Sequence, residues 1–404
     1  MNEQKYIRKR LRIARLQSLA FYINRLLPIQ KNKVVFCNIE GTVGYGCNPK
    51  YVCEELLRRN NSLSFDQKYD LVWLVDDDTK PFPKDVRVVK NTLWNRAKEL
   101  STAAIWVDNS RKQLECRKRK GQFYIQTWHA NVAIKPIGLD RGKSFSKMAY
   151  LVSKHDSDMI DLVLTDSKWY EEKVVKSGLL YEGVVLRSGS PRVDVLLNER
   201  DEKRKTIREK YGLKPDTNIL MYAPTFRGGS QETSRAIEKN NQMPDFDGLK
   251  KTLEKKFGGR WCIFLRLHPQ LTARHISSGL GNENAYLIDV SKEDDMFETL
   301  AACDVFLSDY SASVFDASYM KIPVFLYVYD LKTYRDERGK LMWNLDKLPF
   351  PKAESDAELL EKIEQFDEEK YHVELGKLFK DMELKEDGTA ALTVADVIEK
   401  YISN

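Results

Sequence analysis

"KVVFCNIEGTVGYGCNPKYVCEELLRRN", residues 33–60, decides the fold. Its first seven residues are mostly apolar without alternation, the pattern of a strand buried on both faces. A glycine-rich loop, "EGTVGYGCNPK", follows, and then a helical stretch, "YVCEELLRRN". The same order repeats outward. "YDLVWLV" (69–75), "VRVVK" (86–90), "AIWVDN" (104–109), "QFYIQTW" (122–128), "IDLVLTD" (160–166) and "GVVLRSG" (183–189) read as strands. Helices are expected over "TLWNRAKELSTA" and "SKWYEEKVVKSG". Strands separated by helices imply a parallel sheet covered on both sides.

Residues 187–204 break the pattern with Gly, Pro and charge, and mark a domain boundary. Beyond it the alternation resumes. Strands are expected at "TNILMYAPTF" (217–226), "WCIFLRLHP" (261–269), "AYLIDV" (285–290), "CDVFLSD" (303–309) and "IPVFLYVYD" (322–330). Helices are expected near 246–257, over "DDMFETLAA" and from Tyr310. Two open α/β sheets in one chain suggest an enzyme working in a cleft between them. The expected organisation is a basic helix (1–30), a Rossmann-like domain (31–190), a second Rossmann-like domain (191–370) and a charged helical segment (371–404).

The chain has 404 residues, 42% hydrophobic and 31% charged. That is enough for two cores. No window approaches eighteen uninterrupted apolar residues, so no transmembrane helix is expected. No signal peptide is read, and the expected place is the cytoplasm. Six cysteines are scattered without a C-x-x-C pair, and read as small buried hydrophobes rather than metal ligands. The formal charge is +6, with nine Lys and Arg and no acid between Gln4 and Ile39. The rest of the chain is net negative, which argues against nucleic acid as a partner. "KYIRKRLRIARLQSLAFYINRLLPIQ" reads as a helix ended by Pro28, with an apolar stripe of Ile13, Leu16, Ala20, Ile23 and Leu27. Residues 5–27 suit an anionic membrane surface; a helix packed on the body, or a dimer contact, is the competing reading.

Ligands of such sheets bind at the carboxyl ends of strands. Five places there stand out: Glu40 to Pro49, Thr127-Trp128-His129, Pro224 to Arg227, Arg266 to Pro269, and "SDYSASVFDA" (308–317). In the last, Asp309 or Ser311 can cap a helix, and Ser311 and Ser313 beside its N–H groups make a phosphate cradle. An ordinary capped helix is the plainer reading. Arg266 and His268 would add donors to phosphate oxygens. His129 can take a proton from an attacking hydroxyl, or be a packed core histidine. No P-loop and no dinucleotide fingerprint is present. "VDDDTK" (75–80) reads as a solvated loop in preference to a metal site, and "CRKRK" (116–120) as a solvated turn in preference to a lipid-phosphate contact.

"YIQTWHA", "MYAPTFR", "RLHP", "DVSKEDDMFETLAACDVFLSDYSASVFDA" and "KIPVFLYVYDLKTY", in this order, resemble the CDP-glycerol glycerophosphotransferase family, the teichoic acid primases and polymerases. The resemblance covers roughly residues 33 to 400. It implies a GT-B fold with an N-terminal acceptor domain and a C-terminal CDP-donor domain. It also implies transfer of a polyol phosphate, glycerol phosphate first, from a CDP-polyol to a lipid-linked acceptor at the cytoplasmic face of the membrane, with release of CMP and no cofactor. By the same resemblance His129 is the general base and His268 holds the donor pyrophosphate. Arg266, Asp309, Ser311, Ser313, Thr225 and Arg227 bind the donor phosphates. Glu40, Gly41 and Thr42 form an acceptor-side loop. A sugar transferase or epimerase on the same frame, and a non-catalytic partner of a polymer-synthesis complex, stay open. Three departures stand out: Ala130-Asn131 where relatives read Gly-Thr or Gly-Gly, Ala312 where they carry Ser, and Arg338-Gly339-Lys340-Leu341 where they often read Arg-Gly-Phe-Tyr.

Overall fold

The structure, a computed structural model, describes residues 3–64, 67–225, 243–267 and 285–403, apart from the Arg338 side chain. The chain divides into two compact units. The first comprises Met1–Asn131, Ile137–Val195 and Glu383–Asn404; the second comprises Val132–Pro136 and Leu196–Met382.

The first unit is built on seven parallel strands in the order β3-β2-β1-β4-β5-β6-β7. They are β1 (Gln30–Cys37), β2 (Asp70–Val75), β3 (Val86–Lys90), β4 (Ala103–Asp108), β5 (Phe123–Gln126), β6 (Leu162–Thr165) and β7 (Val184–Arg187). Side chains alternate across a pleated sheet. Val34 and Phe36 therefore join Leu71 and Trp73 in one buried cluster, while Val35 and Cys37 join Val72 and Leu74 in the other. With both faces covered, neither position tolerates a polar residue, which explains the unbroken apolar run.

Helix α1 (Glu3–Asn24) packs on α3 (Leu93–Thr102), with Phe21 fully buried. Its inner face is Ile7, Ala14, Ser18 and Phe21. The stripe expected from the sequence mostly faces outward instead: Leu16, Ile23 and Leu27 are exposed, with Leu19 and Leu26 beside them. The helix carries two apolar faces, and the narrower one, ending in the phenylalanine, makes the core contact.

The "CRKRK" run, expected as a solvated turn, is instead tied to protein carbonyls. Arg119 donates to Leu27 O and Ser101 O, and Arg117 to Leu114 O and Cys116 O. Ser101 O lies in the last turn of α3, where carbonyls lack partners within the helix, and the two carbonyls that Arg117 holds belong to its own turn.

The second unit is built on β8 (Thr217–Tyr222), β9 (Arg260–Leu265), β10 (Leu287–Asp289), β11 (Val305–Ser308), β12 (Val324–Tyr327) and β13 (Lys352–Ala353). The order is β10-β9-β8-β11-β12-β13, all parallel. In each sheet the first strand in sequence lies where the winding reverses, which is where ligands of such sheets bind.

Residues 371–404 do not form one segment. The helix Glu368–Asp381 stays with the second unit, whereas Ala390–Ser403 packs on α2 (Cys47–Asn60) of the first. There Val394, Ala395 and Ile398 complete a buried cluster, and Arg59 pairs with Asp396 and Glu399 at 2.5 Å each.

Candidate active site

In the first unit, β4 and β5 run side by side with Asp108 opposite Gln126. Beyond β5 the chain turns sharply. Thr127 N–H donates to Asp108 O (2.8 Å), and Trp128 N–H to the Gln126 side-chain carbonyl (2.9 Å). Trp128 adopts φ +52°, a left-handed conformation that is costly for a bulky residue. The turn buries the indole and leaves the next side chain, His129, exposed. His129 Nδ1 lies 2.7 Å from Asn109 O. A carbonyl accepts only, so Nδ1 carries the proton and the lone pair falls on Nε2. Its exposure sets aside a buried core histidine, while its ring does lie against the Trp128 indole, with centroids 4.3 Å apart. Ala130 is not at positive φ; the strained position is Trp128. A methyl at 130 is therefore accommodated by the backbone.

The loop after β1 is strained as well. Ile39, Glu40 and Gly41 have φ of +44°, +58° and +90°. Asn109 Oδ1 accepts Ile39 N–H and Ser110 Oγ accepts Glu40 N–H, each at 2.8 Å. One asparagine thus fixes this loop with its side chain and His129 with its carbonyl. At Gly41 a Cβ would meet Asn91 Nδ2 at 2.5 Å, so glycine is required both for conformation and for space. Glu40 and Thr42 are exposed, Gly41 is buried, and the Thr42 hydroxyl donates to Ile39 O (2.7 Å).

In the second unit, Thr225, Arg266 and Asp309 follow three neighbouring strands, β8, β9 and β11. Arg266 donates from Nη1 to Val290 O (2.8 Å), and its N–H to Tyr222 O (2.9 Å). Burial pushes its pKa down, opposed by Asp295, Glu293 and Asp294 nearby. Asp309, expected near the helix start as a cap and phosphate group, does something else. Its buried carboxylate accepts Thr225 N–H (3.0 Å), the Thr225 hydroxyl (3.1 Å) and Tyr310 N–H (2.6 Å). Negative charge already engaged by these donors organises the loop rather than meeting another anion. The helix expected from Tyr310 begins at Ser313 (Ser313–Tyr319), because residues 309–312 form this turn. Ser311 Oγ accepts from Ser313 N–H (3.3 Å) and from the Ser313 hydroxyl (2.7 Å), so the two serines form one cluster. Arg227 and His268 lie outside the described residues.

The structure thus groups His129 with Glu40, Gly41 and Thr42 at one sheet end. It groups Arg266, Thr225, Asp309, Ser311 and Ser313 at the other. Sequence reading missed Asn109, whose only signal was its place directly after a strand; Asn48 stood unremarked within the Glu40 to Pro49 stretch, and Asn131 was noted only as a departure from relatives, not as a residue that fastens the His129 turn. Among the described residues no group of three His, Cys, Asp or Glu side chains is arranged to hold a metal ion.

Residues 19–400 match the family described as CDP-Glycerol:Poly(glycerophosphate) glycerophosphotransferase. The chain is 28% identical over 372 residues to the teichoic acid poly(glycerol phosphate) polymerase of Bacillus spizizenii, covering 87% of this chain and 88% of that protein. It is 25% identical to the protein of the same description in Bacillus subtilis, covering 94% of this chain but 50% of that one. The fold is that of the wall teichoic acid polymerase TagF, with a TM-score of 0.80 at 24% identity, covering 99% and 97% of the two chains. That likeness shows the GT-B-type α/β fold.

Proposed function

The chain belongs to the CDP-glycerol:poly(glycerophosphate) glycerophosphotransferase family, and on that premise we propose that it moves glycerol phosphate from CDP-glycerol to a hydroxyl of a lipid-linked polymer acceptor. The observation that supports this reading most is His129, exposed just past β5 with its protonated nitrogen on Asn109 O and its lone pair on Nε2. The acceptor hydroxyl attacks the phosphorus that bears glycerol and gives its proton to His129 Nε2. A new oxygen–phosphorus bond forms, the pyrophosphate bridge breaks, and CMP leaves with the bridging oxygen. Arg266 and the Ser311–Ser313 cluster of the second unit supply donors to the phosphate oxygens, while Thr225, expected among them, has both its donors on Asp309. Preorganised donors of this kind carry most of the catalysis in phosphoryl transfer. Arg227 and His268 join them on the resemblance alone.

The test is product release from a panel of CDP-glycerol, CDP-ribitol and UDP-sugars, with acceptor present and product mass measured. CMP release with CDP-glycerol, and a product heavier by one glycerol phosphate, is expected. UDP release instead would make it a sugar transferase, and release of neither nucleotide would end the transferase reading.

Membrane contact through residues 5–27 is part of the same proposal. The exposed leucines 16 and 19 on α1, and Leu26 just past its end, lie beyond the exposed cations Lys5, Arg8, Lys9, Arg12 and Arg15. Each buried leucine contributes about 1.5–3 kcal/mol and each cation near an anionic surface about 1 kcal/mol. Sedimentation with phosphatidylglycerol vesicles is expected to be lost when Leu16, Leu19 and Leu26 are changed together to Gln. Undiminished sedimentation would remove α1 from the contact.

A further inference from the structure

The segment that carries His129 is fastened on both sides by buried amides. Ahead of it, Asn48 Nδ2 donates to Thr127 O (3.1 Å) and Trp128 O (2.9 Å). Behind it, Asn131 Oδ1 accepts from the Ser190 hydroxyl (2.5 Å) and Arg192 Nη2 (3.3 Å), and Asn131 Nδ2 donates to Glu386 Oε1 (3.3 Å). The two fastenings close on each other. Arg192 N–H donates to Asn48 Oδ1 (3.0 Å), and Ser190 N–H donates to both oxygens of Glu386 (3.0 and 3.2 Å). Asn48, Asn131, Ser190 and Arg192 are all buried. The orientation of the Asn131 amide follows from its neighbours, because two donors face Oδ1 and a carboxylate faces Nδ2.

The position of these residues along the chain matters as much as their contacts. The backbone crosses between the units after Asn131, after Pro136, after Val195, and between Met382 and Glu383. Asn131 is bonded to residues near two of the other three crossings, Ser190 and Arg192 before Val195 and Glu386 after Met382, and it stands two residues from His129.

We propose that Asn131 is a positioning residue for the transfer reaction. By tying the base turn to Ser190, Arg192 and Glu386, it holds the His129 imidazole against Asn109 O with Nε2 as the proton acceptor. This rests on the assignment of His129 as the base. Asn131 itself touches no reacting atom, and partly satisfied buried polar networks are strongly disfavoured, so one changed atom should displace the whole turn.

The experiment reverses one hydrogen bond. Asn131→Asp keeps the acceptor for Ser190 and Arg192 but sets a carboxylate against Glu386. Adding Glu386→Gln supplies an amide that donates back. A misplaced base of this kind costs up to about a hundredfold in rate. Asn131→Asp is expected to lower kcat for CMP release by about tenfold to a hundredfold, with the KM for CDP-glycerol little changed. The double variant is expected to recover most of the loss. The ¹⁵N spectrum of His129, assigned by its disappearance in His129→Asn, should lose its Nδ1–H tautomer signature in Asn131→Asp and regain it in the double variant. A parental spectrum in Asn131→Asp, or a double variant that recovers neither rate nor spectrum, overturns the proposal. If the parent protein releases no CMP, the transferase reading has failed, and the imidazole spectrum alone decides whether Asn131 positions His129.

Discussion

The two sheets meet their loops in different ways. Past the strands of the first sheet, four residues other than glycine hold positive φ: Ile39, Glu40, Cys47 and Trp128. Past the described strand ends of the second sheet, none does. Each such residue costs on the order of 1–3 kcal/mol and persists only where surrounding bonds impose it. In the first unit those bonds come from asparagine amides, Asn109 and Asn48 above all. In the second, one carboxylate, Asp309, orders its loop by collecting N–H and hydroxyl donors. The difference suits the two tasks proposed for them. A base must be presented at one place, whereas an anion is received by several donors that share its charge.

The sharpest way to break this comparison is His129→Ala. Loss of a general base lowers turnover by about 10² to 10⁴, and CDP-glycerol affinity measured by calorimetry should stay close to the parent value. Near-parental turnover would leave the strained turn without a catalytic purpose. The next effect belongs to the second sheet. Arg266→Gln keeps a donor for Val290 O but removes the charge, and a hydrogen bond to a charged group contributes about 1.5–3 kcal/mol. CDP-glycerol should bind about tenfold to a hundredfold more weakly, as read by titration calorimetry. Unchanged affinity would confine Arg266 to fastening the loop after β10.

Both sheets were legible in the sequence because parallel strands buried on two faces leave unbroken apolar runs such as "KVVFC" and "NILMY". The places of His129, Arg266 and Ser311 were legible for the same reason, since each follows such a run. The network was not. Asn48, Asn131, Arg192 and Glu386 lie far apart along the chain, with a separation of 255 between Asn131 and Glu386. Nothing in loop composition says which amide will face which carboxylate. The return of Ala390–Ser403 to the first sheet was hidden likewise, because an amphipathic stripe states that a helix packs and not where. Asp309 was misread because an aspartate before a helix resembles a cap, and only the neighbouring strand end reveals the Thr225 N–H that claims it.

The smallest expected effect tests the polar ground beneath the base turn. Asp156 is buried, accepts Lys112 N–H (2.9 Å) and the Tyr124 hydroxyl (3.1 Å), and lies under the end of β5. Burial pushes its pKa up to about 7, with Asp108 adding to the rise and the Lys112 N–H opposing it. An ordinary aspartate titrates near about 3.9. Between those values the folded protein keeps a proton that the unfolded chain has released, so this carboxyl's contribution to stability falls as pH rises through the window. The substitution Asp156→Asn replaces the carboxyl with an amide that has no proton to lose, and the amide oxygen still accepts from Lys112 and Tyr124. The melting temperature of Asp156→Asn, relative to the parent, should therefore be higher at pH 8 than at pH 5. The shift is a few degrees, given about 2–4 °C per kcal/mol for a unit of this size. An equal difference at both pH values would mean that Asp156 is ionised throughout. The ground under His129 would then be charged, and the contrast with the second sheet, where a carboxylate does the organising, would narrow to the strain in the backbone alone.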